Sequence, residues 1–237
     1  MINALILAAA VTLSSAQVAG TYYQGDGLGM NWRLALRKDG SFAFKWQGCV
    51  GVYDSKSGRW ALEEGSVRLH VEKQQEDAMS PSIPLILQPI PWGSRMYLLD
   101  PNAIRDFADA INDGTEHRSE GHGLTLLRSE DWRIAVDGLP SIPASFSSLV
   151  LRAPIRGSVT RLLPNGRVRI NRGAKHDVRV GLVFHYQGPD FIAYRVTSVS
   201  PTTAEAALVY PDSKARRGLV STLLTDPTLQ PVCKGDQ

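Results

Sequence analysis

Short runs of apolar residues at every second position, each closed within a few residues by glycine, proline or asparagine, constrain this chain more than any other feature. A period of two places alternate side chains on opposite faces of an extended strand, and frequent turns keep each strand short. Trp32, Leu34 and Leu36 alternate with Arg33, Ala35 and Arg37, then Lys38-Asp39-Gly40 offers a turn, and Phe42, Phe44 and Trp46 resume the alternation. These two runs predict a hairpin with an aromatic inner face. Trp60 and Leu62, a turn at Gly65, and Val67, Leu69 and Val71 predict a second hairpin, and residues 84–91, 95–99 and 124–127 supply further strands. Glycine and proline together make up 35 of 237 residues, which favours turn-rich β structure over long helices.

One helix is signposted. Asp100 is placed to cap it, Pro101 to open it and Gly114 to stop it, while Ile104, Phe107, Ala108 and Ile111 form one apolar stripe. After a proline-broken stretch at 138–146, strands are expected at 149–153, 157–162, 167–170, 182–186, 192–199, 204–209 and 219–224. The expected fold is therefore mainly β: two small antiparallel β-barrel or sandwich domains, the first carrying one α-helix. The expected division is a signal peptide at 1–16, a first domain at 17–134, a linker at 135–147, a barrel at 148–226 and a tail at 227–237.

Ala4 to Leu13 is an uncharged, almost wholly apolar run followed by Ser14-Ser15-Ala16. Ten helical residues reach about 15 Å, half of a hydrocarbon core, so the run reads as a cleavable export signal rather than an anchor. The expected location is periplasmic or secreted, with no transmembrane anchor after cleavage. An oxidising compartment permits a disulfide between Cys49 and Cys233; two unpaired thiols are the alternative.

Charge separates the halves. Residues 17–134 carry a net −3 and residues 135–237 a net +6. The excess gathers at Arg156, Arg161, Arg167, Arg169, Arg172, Lys175 and Arg179, with Asp177 opposing it. Arg167 and Arg169 share a strand face. Arg161, Arg167, Arg169, Arg172 and Arg179 are thus the candidate surface for an envelope protein, glycan or lipid head group, through forked hydrogen bonds to phosphate or carboxylate; a solvated barrel face is the plainer reading.

Gly157-Ser-Val, Gly166-Arg-Val-Arg-Ile-Asn, Gly173, Val178, Gly181 and Phe184 resemble the small β-barrel at the C-terminal end of flagellar assembly protein T and of related envelope proteins. In that pattern Asp177 stands where a further turn glycine is expected. The first half is similar to uncharacterised exported bacterial proteins in its Gly20–Tyr23 opening, its Gly25–Gly29 segment and its Gly48–Gly51 turn. Its strand cadence also looks like lipocalin-type barrels, a resemblance that implies an enclosed small ligand. Trp32, Phe42, Phe44 and Trp60 are the residues that would line such an apolar pocket, or else fill an ordinary core.

Chemistry-bearing motifs are weak. Gly25-Asp26-Gly27-Leu28-Gly29 is followed by a strand pattern where a dinucleotide loop needs a helix. Glu116, His117, Glu120 and His122 combine metal-ligating residue types in what reads as a polar loop. The sequence contains no nucleophile elbow, P-loop or zinc-protease helix motif. A non-enzymatic binding or assembly module of the bacterial envelope is the expectation, with no catalytic residues, metal, cofactor or nucleic acid assigned. A carrier of a small apolar ligand is the alternative.

Overall fold

The computed structural model describes residues 13–27, 30–76, 83–115, 124–136 and 138–222. It divides into two compact units, Met1–Ala103 with Arg118–Ile142, and Ile104–His117 with Pro143–Gln237. Each unit is built around a closed antiparallel barrel.

The first barrel has eight strands in simple up-and-down order: β1 (Gly20–Gly25), β2 (Asn31–Leu36), β3 (Ser41–Gly48), β4 (Gly51–Glu63), β5 (Ser66–Glu76), β6 (Ile86–Trp92), β7 (Arg95–Leu99) and β8 (Thr125–Arg128). The β1–β8 pairing, Tyr22 opposite Arg128 and Tyr23 opposite Leu127, closes the ring. Closure leaves no edge strand to template association. The β2–β3 hairpin forms as its alternation requires, with Trp32 opposite Trp46, Leu34 opposite Phe44 and Leu36 opposite Phe42. Its turn is held by Gly40, at φ +79°, and by Asp39, whose carboxylate accepts from the Ser41 amide and hydroxyl at 2.9 and 2.7 Å.

Inward side chains from every strand merge into one core that includes Tyr22, Leu34, Phe42, Phe44, Leu69, Leu87, Leu98 and Leu126. Each such burial stabilises the fold by roughly 1.5–3 kcal/mol. Pro89 and Pro91 sit within β6, but β5–β6 pairing is confined to Val67–Leu87 and Arg68–Ile86. Their missing amide donors therefore fall beyond that ladder. After β8 the chain folds back over β6 and β7: Trp92 Nε1 donates to the Gly138 carbonyl at 2.8 Å, and the Ser141 amide donates to Pro91. Before β1, the short helix α1 (Ser15–Val18) is capped by Ser14, and buried Val18 joins the core. The rest of the expected leader, residues 1–12, lies outside the described residues.

Helix α2 (Ile104–Asn112) follows a 3₁₀ turn at Pro101–Ala103 and buries the expected stripe of Ile104, Phe107, Ala108 and Ile111. In chain order it falls between β7 and β8, yet it belongs to the second unit. The Asn112 side chain explains this: its amide donates to the Leu149 carbonyl and its oxygen accepts from the Leu151 amide, both at 2.8 Å. These contacts also overturn the strand expected at 149–153. The backbone there bonds to side chains, after a 3₁₀ segment at Ala144–Leu149, and joins no ladder.

The second barrel has six strands: β9 (Arg156–Leu162), β10 (Val168–Ile170), β11 (Val183–Tyr186), β12 (Ala193–Val199), β13 (Ala204–Leu208) and β14 (Gly218–Ser221). Around the ring they run β10, β13, β12, β11, β14, β9. Val159, Val168, Ile170, Phe184, Tyr194, Val196, Ala206 and Val220 fill it. Gly173 has no room for a side chain, since a Cβ there would stand 2.2 Å from the Ser200 carbonyl oxygen. Asp177 adopts φ +61°, a left-handed conformation that aspartate tolerates better than most residues.

Candidate functional site

The basic cluster of the second half is largely committed to internal partners. Arg169 Nη2 donates to Glu205 Oε1 at 2.9 Å, and Arg167 lies 3.4 Å from the other carboxylate oxygen. Arg161 pairs across the ladder with Arg169, whose opposite neighbour is Glu205, so this row carries its own acid. Arg179 bonds Asp109 at 2.8 Å and also the Leu149 carbonyl, fastening α2 to the barrel of its own unit. Arg172 donates to its neighbour Asn171's carbonyl. Sequence proximity gathered these arginines; the fold distributes them and brings Glu205 and Asp109 to three of them.

Trp32, Phe42, Phe44 and Trp60 are all buried in the first barrel's continuous core. Trp32 stacks on Trp46 with ring centroids 5.3 Å apart and meets Phe44 at 5.6 Å. Trp60 Nε1 donates to the Arg37 carbonyl at 2.8 Å, tying β4 to the first hairpin turn. Cys49 is exposed in the β3–β4 turn. Cys233 lies outside the described residues, as do Glu116, His117, Glu120 and His122. Among the described residues no group of three or more His, Cys, Asp and Glu side chains is placed to hold a metal ion, and no helix is long and apolar enough to cross a membrane.

Sequence reasoning missed a site on the outer face of β1–β3. Alternation that sends Trp32, Leu34, Phe44 and Trp46 inward must send Arg33 and Lys45 outward. The hairpin register sets these two cations directly opposite one another. Like charges so placed destabilise a sheet, just as opposite charges support it. Their cross-strand flanks are Tyr23 on β1 and Ser55 on β4, neither of them acidic. No ion pair to either cation is found among the described residues.

The two cations, with Tyr23, Gly27, Asn31 and Gln47, line a cleft of about 280 Å³. Its wall is organised from within. Tyr23 donates its hydroxyl to Asn31 Oδ1 at 2.5 Å, and the Gly27 amide donates to the same oxygen at 3.0 Å. Gly27 takes φ +77°, the turn conformation that aims its N–H at Asn31. The Arg33 guanidinium carbon lies 5.8 Å from the centroid of the Tyr23 ring, a cation–π contact that steadies a side chain belonging to an exposed residue. The cleft thus offers a guanidinium, an ammonium and an amide N–H₂, with the Asn31 oxygen already occupied. Chemically, that donor set is complementary to an anionic, acceptor-rich group.

No family model matches the chain, and no curated protein sequence matches it either.

Proposed function

We propose that this protein is a non-enzymatic binding module of the bacterial envelope, exported by its apolar leader, that holds an anionic group of its partner in the cleft on the first barrel. The observation that carries the reading is the Arg33–Lys45 cross-strand pair, two opposed cations with no acidic neighbour in their row. An arrangement that costs the free protein stability is repaired by an anion seated between the cations. The apolar run Ala4–Leu13 supports export, and the resemblance of the second half to the barrel of flagellar assembly protein T supports the envelope as its place of work.

The test is retention from solubilised envelope by the full chain, produced with its own leader, beside the Arg33→Ser/Lys45→Ser double variant. The partner is expected to be retained at low salt, released as salt rises, and lost in the double variant, because exposed charge pairs are screened over about 8 Å at physiological ionic strength. Retention of the same partner by the double variant would overturn the reading. Both substitutions lie on the outer face and leave the core untouched, so the variant is expected to fold.

A further inference from the structure

The cleft's donors also specify the shape of the group it takes, an inference that rests on the anion-binding reading above. We propose that the ligand group is a tetrahedral oxyanion, a phosphate or phosphate monoester, and that Asn31 is the residue that selects it.

The orientation of Asn31 follows from its partners. A backbone N–H can only donate, so the Asn31 atom facing Gly27 is the carbonyl oxygen. The Tyr23 hydroxyl bonds that same atom and must therefore donate to it. An amide oxygen has two lone pairs, and here both are used. The Asn31 N–H₂ group is consequently the half of the amide left to the cleft, and it has no partner among the described residues. Tyr23 and Gly27 act as positioning groups, fixing which end of the amide meets the ligand.

Asn31 and Arg33 lie two apart on one face of β2, and Lys45 lies opposite Arg33 on β3. Donors therefore approach from three separate positions on one wall. A carboxylate has two oxygens in one plane and a single charge; the Arg33 fork alone would satisfy it. A phosphate monoester presents three acceptor oxygens and nearly two negative charges near neutral pH, matching the fork, the ammonium and the amide together. A cleft of about 280 Å³ sits at the small end of small-molecule sites, so it holds a terminal group and little beyond it. Free phosphate and a lipid head group share this chemistry.

The test is calorimetric titration of the full chain at about pH 8, where the ester is dianionic, with sodium phosphate, with sodium acetate at matched ionic strength, and with phosphatidylcholine vesicles containing phosphatidic acid. Phosphate, or the phosphatidic-acid vesicles, is expected to bind saturably and at least about tenfold more tightly than acetate. Binding to vesicles without binding to free phosphate assigns the group to a lipid surface; binding to both assigns it to the phosphate alone. Asn31→Asp preserves the oxygen that Tyr23 and Gly27 bond and replaces the N–H₂ donor by a charged oxygen; it is expected to lower phosphate affinity about tenfold or more. Asn31→Ala removes the donor without adding charge and is expected to lower it less. Tyr23→Phe is expected to narrow the phosphate-to-acetate ratio while leaving net charge unchanged. Acetate binding as tightly as phosphate, or phosphate affinity unmoved by Asn31→Asp, would overturn the inference. If acetate binding then still required Arg33 and Lys45, the broader anion-binding reading would survive; indifference to Arg33→Ser/Lys45→Ser would overturn both.

Discussion

Lys56 Nζ donates to Asp54 Oδ2 at 2.8 Å inside the first barrel, with the two side chains 3% and 0% exposed. Both residues lie on β4 and face inward, Asp54 opposite Trp46 and Lys56 opposite Phe44. Among the described residues, the second carboxylate oxygen of Asp54 is buried with no hydrogen-bond partner, and so is Trp46 Nε1. Desolvating two charges costs several kcal/mol per ion, and their attraction offsets that only while both are present. Removing one partner, by Lys56→Met or Asp54→Ala, is expected to destabilise the barrel by about 3–5 kcal/mol. Replacing both with apolar residues of similar volume is expected to be neutral or stabilising. Urea unfolding of the three variants checks the prediction, and a double variant worse than either single one would contradict it.

Tyr22 makes the first barrel sensitive to alkali. Its hydroxyl donates to the Val18 carbonyl from a fully buried position, and burial pushes its pKa well above the usual tyrosine value. The folded state therefore holds the phenolic proton more tightly than the unfolded chain does. That stabilisation is complete below about pH 10, the unfolded value, and is lost as pH rises from there through the folded one. Tyr194 in the second barrel is also shifted up by burial. Unfolding midpoints measured from pH 7 upward should fall above about pH 10. Tyr22→Phe should flatten that fall, after forfeiting a hydrogen bond worth about 1 kcal/mol at neutral pH.

Glu205 responds to acid. Its carboxyl is held below the ordinary glutamate range, first by the hydrogen bond from Arg169 and then by the charges of Arg167 and Arg169. A depressed pKa contributes stability above the unfolded value that is lost as pH falls through the folded one. Arg169→Gln is expected to raise the Glu205 titration midpoint toward the ordinary range, read by carboxyl carbon chemical shifts against pH. An unmoved midpoint would show that Arg169 is not the dominant partner.

Gly58 marks a place where β4 admits no side chain. The β4–β5 register shifts between Ser57 and Gly58, and a Cβ at Gly58 would stand 2.1 Å from the His70 carbonyl oxygen. Backbone cannot yield as a side-chain tip can, so Gly58→Ala is expected to cost about 1–3 kcal/mol, the usual range for overpacking. Thermal unfolding unchanged from that of the unaltered protein would contradict this.

Elements whose alternation is apolar against polar were legible in the sequence. The aromatic hairpin of β2 and β3, the Gly65 turn and the stripe of α2 all stand where their periodicity places them. The first part of β4 was not legible, because Asp54 and Lys56 occupy the inward positions of Asp54-Ser-Lys-Ser and erase the period of two. The segment at 149–153 misled for the opposite reason: its apolar residues imitate a strand, while the side chain of Asn112, far away in sequence, holds its backbone. The arginine cluster misled in the same way, since Glu205 and Asp109 are remote in sequence and near in space. Arg33 and Lys45 were readable in principle. Pairing the two aromatic runs about Gly40 already sets them opposite each other; two charges twelve residues apart simply do not look like a cluster along the chain.

The most direct measurement is an amide and side-chain N–H correlation spectrum of the labelled full chain during titration with sodium phosphate at constant ionic strength. Saturable shifts are expected to concentrate on the Asn31 N–H₂ pair, the Arg33 Nε–H and the Gly27 amide, with the arginines paired to Glu205 and Asp109 unmoved. Shifts spread evenly over lysines and arginines of both units, or absent at Asn31 and Arg33, would contradict it.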